Sequence, residues 1–534
     1  MLTEFTSFIT DYENFIIPKV AELSKTNFDA TITGKSELFQ KSAEIEIEIN
    51  NFLSDKNRFQ KIKTLYESDF NFNEVTKREI KLIYNSFVSH QFDSELMEKI
   101  VNISSNLERQ FSTFRGKIGK KELTDNQIDE ILEKSTNSDE LKATWEASKQ
   151  IGNEVSSQIV ELVKLRNQAA KQMGFENYHT MSLLLSEQNP EEMDMFFDEL
   201  DNLTKHSFQK VKAEIDDFLS KRLNINKNEL MPWHYQDKFF QQGPEFTSIN
   251  FDMIFKKSDI VEITKKYFAE INLPIDDLLA NSDLFEKENK YQHAYCTNID
   301  REGDIRVVCN IKPNYKWMST MLHEFGHAVY DKFISKNLPW ELRTHAHIFC
   351  TEAIAMLFGR LASNADWLVE NLKIEQNLAK TVETEGFSKL RAEQLIFSRW
   401  VQVVYRFERE MYKNPNQDLT SLWWNLVEKY QEITKPIGRN SADWASKIHI
   451  ALYPAYYHNY ILGEILASQL HFFITEKVIT NGKSKKSFSN DKAIGDYLKN
   501  LYFSYGAIYE WNKLIEKATG EKLNPKYYAM QFTY

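Results

Sequence analysis

The sequence predicts a mainly α-helical globular protein, and three observations carry that expectation. Gly and Pro are scarce, 16 and 11 of 534 residues, where average usage gives roughly 12% for the pair. Long stretches space their apolar residues for a helix face, as Val155, Ile159, Leu162 and Val163 do at i, i+4, i+7 and i+8. Apolar residues make up 42% and aromatics 13% of the chain, with 37 Phe and 24 Tyr, enough for a large core. A turn-dense all-β fold needs Gly and Pro at many corners, and their shortage also excludes collagen-like and Gly/Pro-rich disordered chains.

In chain order, residues 1–222 read as successive amphipathic helices. The stretch 44–49, EIEIEI, has the period of a strand, but Ile45 and Ile49 at i, i+4 assign it to helix. Residues 225–250 crowd Pro232, Gly243 and Pro244 with polar and aromatic residues and read as a loop region. The runs 291–298 and 304–311 flank the turn signal Asp300-Arg301-Glu302-Gly303 and predict one small β-hairpin, the only sheet expected. Helical patterning returns from Lys316 to about 480, broken at 435–440, and a polar break at 481–489 precedes the last helices.

A net charge of −11, from 77 acidic and 66 basic interspersed residues, argues against a nucleic-acid partner. The first residues carry acids where a secretory signal would be basic, and no apolar run reaches the length of a membrane span. A cytoplasmic protein is the expectation. Three cysteines without CxxC spacing suggest neither a disulfide framework nor a thiolate metal site. Oligomeric state has no signal in the sequence.

The chemistry lies in His323-Glu324-Phe325-Gly326-His327. Histidines at i and i+4 leave one face of a helix and can share a tetrahedral zinc, while Glu324 reaches a metal-bound water without ligating. Met321, Leu322, Phe325, Ala328 and Val329 supply the buried face, and Gly326 permits close approach of another backbone or a ligand. The ordinary alternative is a buried helix whose histidines bond to neighbours. A third ligand decides between them, and the candidates are Glu352, 25 residues after His327 in a helical pattern, and its rivals His345 and His347. Glu352 is preferred because a second helix could turn it toward the first.

With these residues, the stretches HAYCTNIDREGDIRVVCN, LHEFGH and LPWELRTHAHIFCTEAIAM resemble, in the same order, the M2 family of zinc peptidases, the family of angiotensin-converting enzyme. The wording HEFGHA is closer to the related M3, thimet-like oligopeptidases. The resemblance implies a single peptidase domain over 1–534. It would be a large, two-lobed gluzincin-type helical fold with a deep central channel and a small hairpin near the zinc. Residues 1–110 would form a helical lid and 290–475 the zinc-binding half. It implies one Zn2+ per chain on His323, His327 and Glu352, with Glu324 moving the proton and Tyr460, with His449 or His293, stabilising the oxyanion. His293 and Ala294 would pair with an extended peptide, and Lys447, Tyr457 and Gln236 would hold its terminal carboxylate. Tyr456 is the fallback for Tyr457, since the alignment carries a one-residue shift.

The implied activity is release of C-terminal dipeptides from short unfolded peptides. An M3-like endo-oligopeptidase is the alternative, and a non-catalytic helical peptide-binding protein comes third. Three departures from the family pattern stand out. Met356 replaces an Asp that orients a zinc histidine, Gln292 stands where Cys309 would find a disulfide partner, and Asn459 replaces a chloride-binding Arg. Losing an outer-shell acceptor of this kind costs roughly 10 to 100-fold in metal affinity unless another group substitutes.

Overall fold

The computed structural model describes residues 1–244, 249–479 and 487–533, so positions 245–248 of the loop region and 481–486 of the late polar break lie outside the described residues. Most of the described chain is helical, as expected, and two small antiparallel hairpins interrupt it. The helices that matter below are α1 (Leu2–Thr33), α2 (Ser36–Leu53), α3 (Ser138–Gln172), α4 (Tyr315–Phe333), α5 (Ile348–Gly359), α6 (Phe387–Lys413), α7 (Leu419–Gln431) and α8 (His458–Phe473). The EIEIEI stretch lies within α2, with Ile45 buried and Ile47 exposed. In α3, Val155, Ile159, Leu162 and Val163 are fully buried, each contributing about 1.5–3 kcal/mol relative to exposure. No helix among the described residues is long and apolar enough to cross a membrane.

The chain divides into two compact units. One comprises Met1–Gln91, Ser248–Phe387 and Leu462–Tyr527, and the other Phe92–Thr247, Ser388–Ile461 and Tyr528–Tyr534.

The hairpin expected near residue 300 is present in the first unit as β3 (Tyr295–Asn298) and β4 (Ile305–Val308), with Tyr295 opposite Val308. Its turn is closed by Asp300, whose Oδ1 accepts from the main-chain N–H groups of Glu302, Gly303 and Asp304 at 2.7–3.1 Å. Gly303 there adopts φ +126°, a region that glycine enters without strain. The far side of β4 is bridged by Asp283, and the fully buried Lys290 ammonium holds Asp283 Oδ1 at 2.8 Å.

The first strand begins later than the sequence suggests. His293 and Ala294 precede β3 in a bend, because Tyr291 N–H donates to Thr31 O at the end of α1 (2.8 Å) and draws the chain away from the ladder. A second hairpin, β1 (Gly116–Ile118) with β2 (Lys121–Leu123), was not expected. Three-residue strands are too short to display a period of two.

Candidate functional site

Helix α4 starts at Asn314, whose side chain caps Trp317 N–H at 2.9 Å. Its apolar stripe, including Met321, Leu322, Phe325, Ala328 and Val329, is fully buried. Helix α5 starts at His347, whose Nδ1 accepts from Phe349 N–H at 3.3 Å. The two helices meet main chain to main chain at Gly326, where an added Cβ would stand 2.9 Å from Ala355 Cα and 3.2 Å from Ile354 O. Gly463 of α8 packs on α5 in a similar way, a Cβ there meeting Glu352 Cβ and Met356 Sδ at 3.2 Å.

This packing brings His323, His327 and Glu352 together, with one donor atom from each lying within 4.8 Å of the others. The Nε2 atoms of His323 and His327 stand 3.7 and 3.9 Å from Glu352 Oε2. Ligands at about 2.1 Å from a tetrahedral zinc are about 3.4 Å apart, so each histidine–glutamate pair needs only a few tenths of an ångström of contraction. Burial holds both imidazoles below the usual histidine range, His323 at about 4, so both are neutral and able to ligate.

The rival ligands are engaged elsewhere. His345 Nε2 lies 2.9 Å from Asp331 Oδ1 with its ring against Tyr330, and His347 is the cap just described. Glu324 is 7% exposed. Burial, and next the Glu352 carboxylate, push it up to about 8, and a bound divalent cation acts in the opposite sense.

Sequence reasoning missed Thr351. Its Oγ1 lies 2.7 Å from His327 Nδ1; a proton donated there leaves the Nε2 lone pair for a metal. The hydroxyl thus gives His327 an outer-shell partner of its own. Thr351→Val is expected to lower zinc affinity about 10 to 100-fold with little loss of fold, as read by competition with a chelator. Unchanged affinity would show that the hydroxyl does not tune the ligand.

The remaining predicted residues lie in the second unit, apart from His293 and Ala294. Lys447 Nζ donates to Gln241 Oε1 at 2.8 Å, and Tyr457 OH, which accepts from Trp400 Nε1 at 2.9 Å, approaches the same oxygen at 3.4 Å. The glutamine that joins Lys447 and Tyr457 is therefore Gln241. Gln236 is turned away by its left-handed backbone (φ +61°) and donates to Glu133 O. Nothing local in the sequence separates the two glutamines.

Tyr457 sits in the turn before α8, while Tyr456 packs on Tyr460 at 5.5 Å between ring centroids. Tyr460 also meets Tyr457, at 5.4 Å. His449 stands against Tyr457 at 5.0 Å, and its buried Nδ1 has no hydrogen-bond partner among the described residues. Burial, and next Lys447, hold it at about 4. Asn459 accepts from Gln188 Nε2 (2.9 Å), and Gln188 Oε1 accepts from His458 (2.7 Å), so the amide in the place of the Arg is held in a buried hydrogen-bond chain.

A mainly α chain in which one helix carries His-x-x-x-His and the next turns a carboxylate onto it has the architecture of a metallopeptidase. The family model described as Peptidase_M2, angiotensin-converting enzyme, matches residues 2–528, and the chain belongs to that family. Among its relatives, angiotensin-converting enzyme-like protein Ace3 of Mus musculus is 23% identical over 428 residues, 74% of this chain and 57% of that protein. Angiotensin-converting enzyme of Sus scrofa is 22% identical over 77% of this chain and 34% of its own length. Oligopeptidase PepF of Bacillus subtilis is 24% identical over 38% of this chain and 29% of its own length. The chain thus spans from under a third to just under three-fifths of the relatives it matches.

Proposed function

We propose that the chain is a zinc-dependent peptidyl-dipeptidase, with one zinc on His323, His327 and Glu352, acting on short unfolded peptides. Zinc, when bound, supplies an acidified water and polarises the scissile carbonyl. Glu324 takes a proton from the attacking water and returns it to the leaving amine. Tyr460 and His449 donate to the oxygen on which negative charge develops, a role in which one lost donor typically costs about 100 to 1000-fold in turnover. The outer edge of β3 has no main-chain partner among the described residues, which suits pairing with an extended peptide. His293 and Ala294 lie at its entrance.

The observation that carries exo-cleavage is Lys447. Burial holds its ammonium down at about 8, against the opposing pull of Asp237. Its hydrogen bond goes to the neutral amide of Gln241, and among the described residues it forms no ion pair with a carboxylate. A half-buried cation without an ion-pair partner bears a desolvation cost, and the C-terminal carboxylate of a peptide would offset it, with the Gln241 amide N–H groups as further donors.

Mass spectrometry of products from one peptide with free and amidated C-termini tests the reading. Stepwise dipeptides from the free acid, suppressed by amidation, are the expected result. Internal cuts indifferent to amidation would replace it with the endo-oligopeptidase reading. The pH dependence has a definite sign. Below about 8 Lys447 is protonated and binds carboxylate, and above it the proton is lost, so KM for the free acid rises by up to tenfold per pH unit. The amide should show no such rise.

A further inference from the structure

Residues 237–241 form neither helix nor strand, yet their main chain is held at five points by side chains. The Asp237 carboxylate accepts from Phe239 N–H (3.1 Å) and Gln241 N–H (2.7 Å). Gln431, 1% exposed at the end of α7, donates its amide to Phe239 O (3.0 Å) and Phe240 O (2.8 Å). Trp145 Nε1 donates to Lys238 O at 3.0 Å. Phe240 adopts φ +50°, a left-handed conformation that a residue with a bulky side chain keeps only where its surroundings impose it. The neighbouring Phe239 ring lies between the Lys149 ammonium, 3.2 Å from its centroid, and the Trp400 ring at 5.3 Å.

A loop without ladder partners must place its polar groups somewhere, but this one gains more than satisfied bonds. Its last residue is Gln241, whose Oε1 is pinned by Lys447 and Tyr457 and whose main-chain N–H is the one Asp237 holds at 2.7 Å. Both ends of Gln241 are fixed, and the direction of its amide N–H groups follows.

We propose that Gln431 and Asp237 are positioning residues that give the enzyme its preference for a free C-terminus, by fixing the main chain of residues 237–241 so that Gln241 meets the substrate carboxylate together with Lys447. This rests on the reading of Gln241, Lys447 and Tyr457 as the carboxylate-binding set. Neither residue touches the substrate. Gln431 acts through two carbonyls that only a donor can satisfy, and Asp237 through two N–H groups that any acceptor of its shape can satisfy.

The test compares one peptide as free acid and as amide, well below the Lys447 titration so that Lys447 stays protonated when Asp237, which raises its pKa, is replaced. Gln431→Met and Asp237→Ala are expected to raise KM for the acid about 10 to 100-fold, the scale of a misplacement near 1 Å, with kcat and the amide kinetics unchanged. Asp237→Asn, which keeps an acceptor oxygen, should restore most of the discrimination. An unaltered enzyme that treats acid and amide alike overturns the carboxylate reading itself. If the unaltered enzyme discriminates and folded variants do so equally, or lose both substrates in parallel, the positioning role is overturned. Failure of Asp237→Asn to recover also overturns it. Should Gln431→Met fold poorly, the half-buried Asp237 pair carries the test alone.

Discussion

Glu324→Gln is expected to retain one zinc per chain and to cleave peptides about 100 to 10,000-fold more slowly than the unaltered enzyme, the usual worth of a positioned proton-transfer group. Glutamine has the shape of the side chain it replaces and cannot take a proton from water. The carboxylate is buried beside Glu352, with its acidity shifted toward the neutral form by that burial. A neutral amide is therefore tolerated by the fold, and the melting temperature should be unchanged or raised. Metal analysis and single-peptide kinetics on the same sample check both halves. Intact cleavage would remove Glu324 from the mechanism, and lost zinc would make it a ligand. A chain that holds zinc, binds peptide and has no turnover even before substitution would be a peptide-binding protein.

The second large effect separates Glu352 from its rivals. Glu352→Ala should leave the purified protein without near-stoichiometric zinc and inactive at ordinary zinc concentrations, a loss well beyond the roughly 10 to 100-fold of an outer-shell change. His345→Ala should keep zinc, because its imidazole already faces Asp331 at 2.9 Å. The reverse pattern would move the third ligand to His345. The geometry supports Glu352 because its oxygen lies within 4 Å of both histidine Nε2 atoms.

The residues that the sequence made legible share a physical reason. His323, Glu324 and His327 lie on one helix, where position along the chain determines direction in space. Glu352 lies on a second helix that is apolar nearly all round, so it stands out there as the one charged side chain, although no apolar stripe gives its facing. The missed residues depend on geometry that no period encodes. Gln241 reaches Lys447 only because Gln236 and Phe240 take left-handed backbone conformations, which neither residue type advertises. Thr351 gains its role from lying opposite His327 across the helix contact, although its place beside Glu352 was a usable hint. His293 and Ala294 alternate like strand residues but lose the ladder to a single hydrogen bond from Tyr291 to α1. The hairpin β1–β2 was hidden by its length.

The contact at Gly326 has a consequence for how such a protein can change over time. Because α4 and α5 touch through main-chain atoms there, the spacing of the three donors does not depend on which side chains fill the surrounding core. Substitutions can accumulate around that point, each adjusting locally, while the register of one helix on the other stays put. A lineage could diverge to the 22–24% identity found among the relatives with the donors still in place, provided one position stays without a side chain.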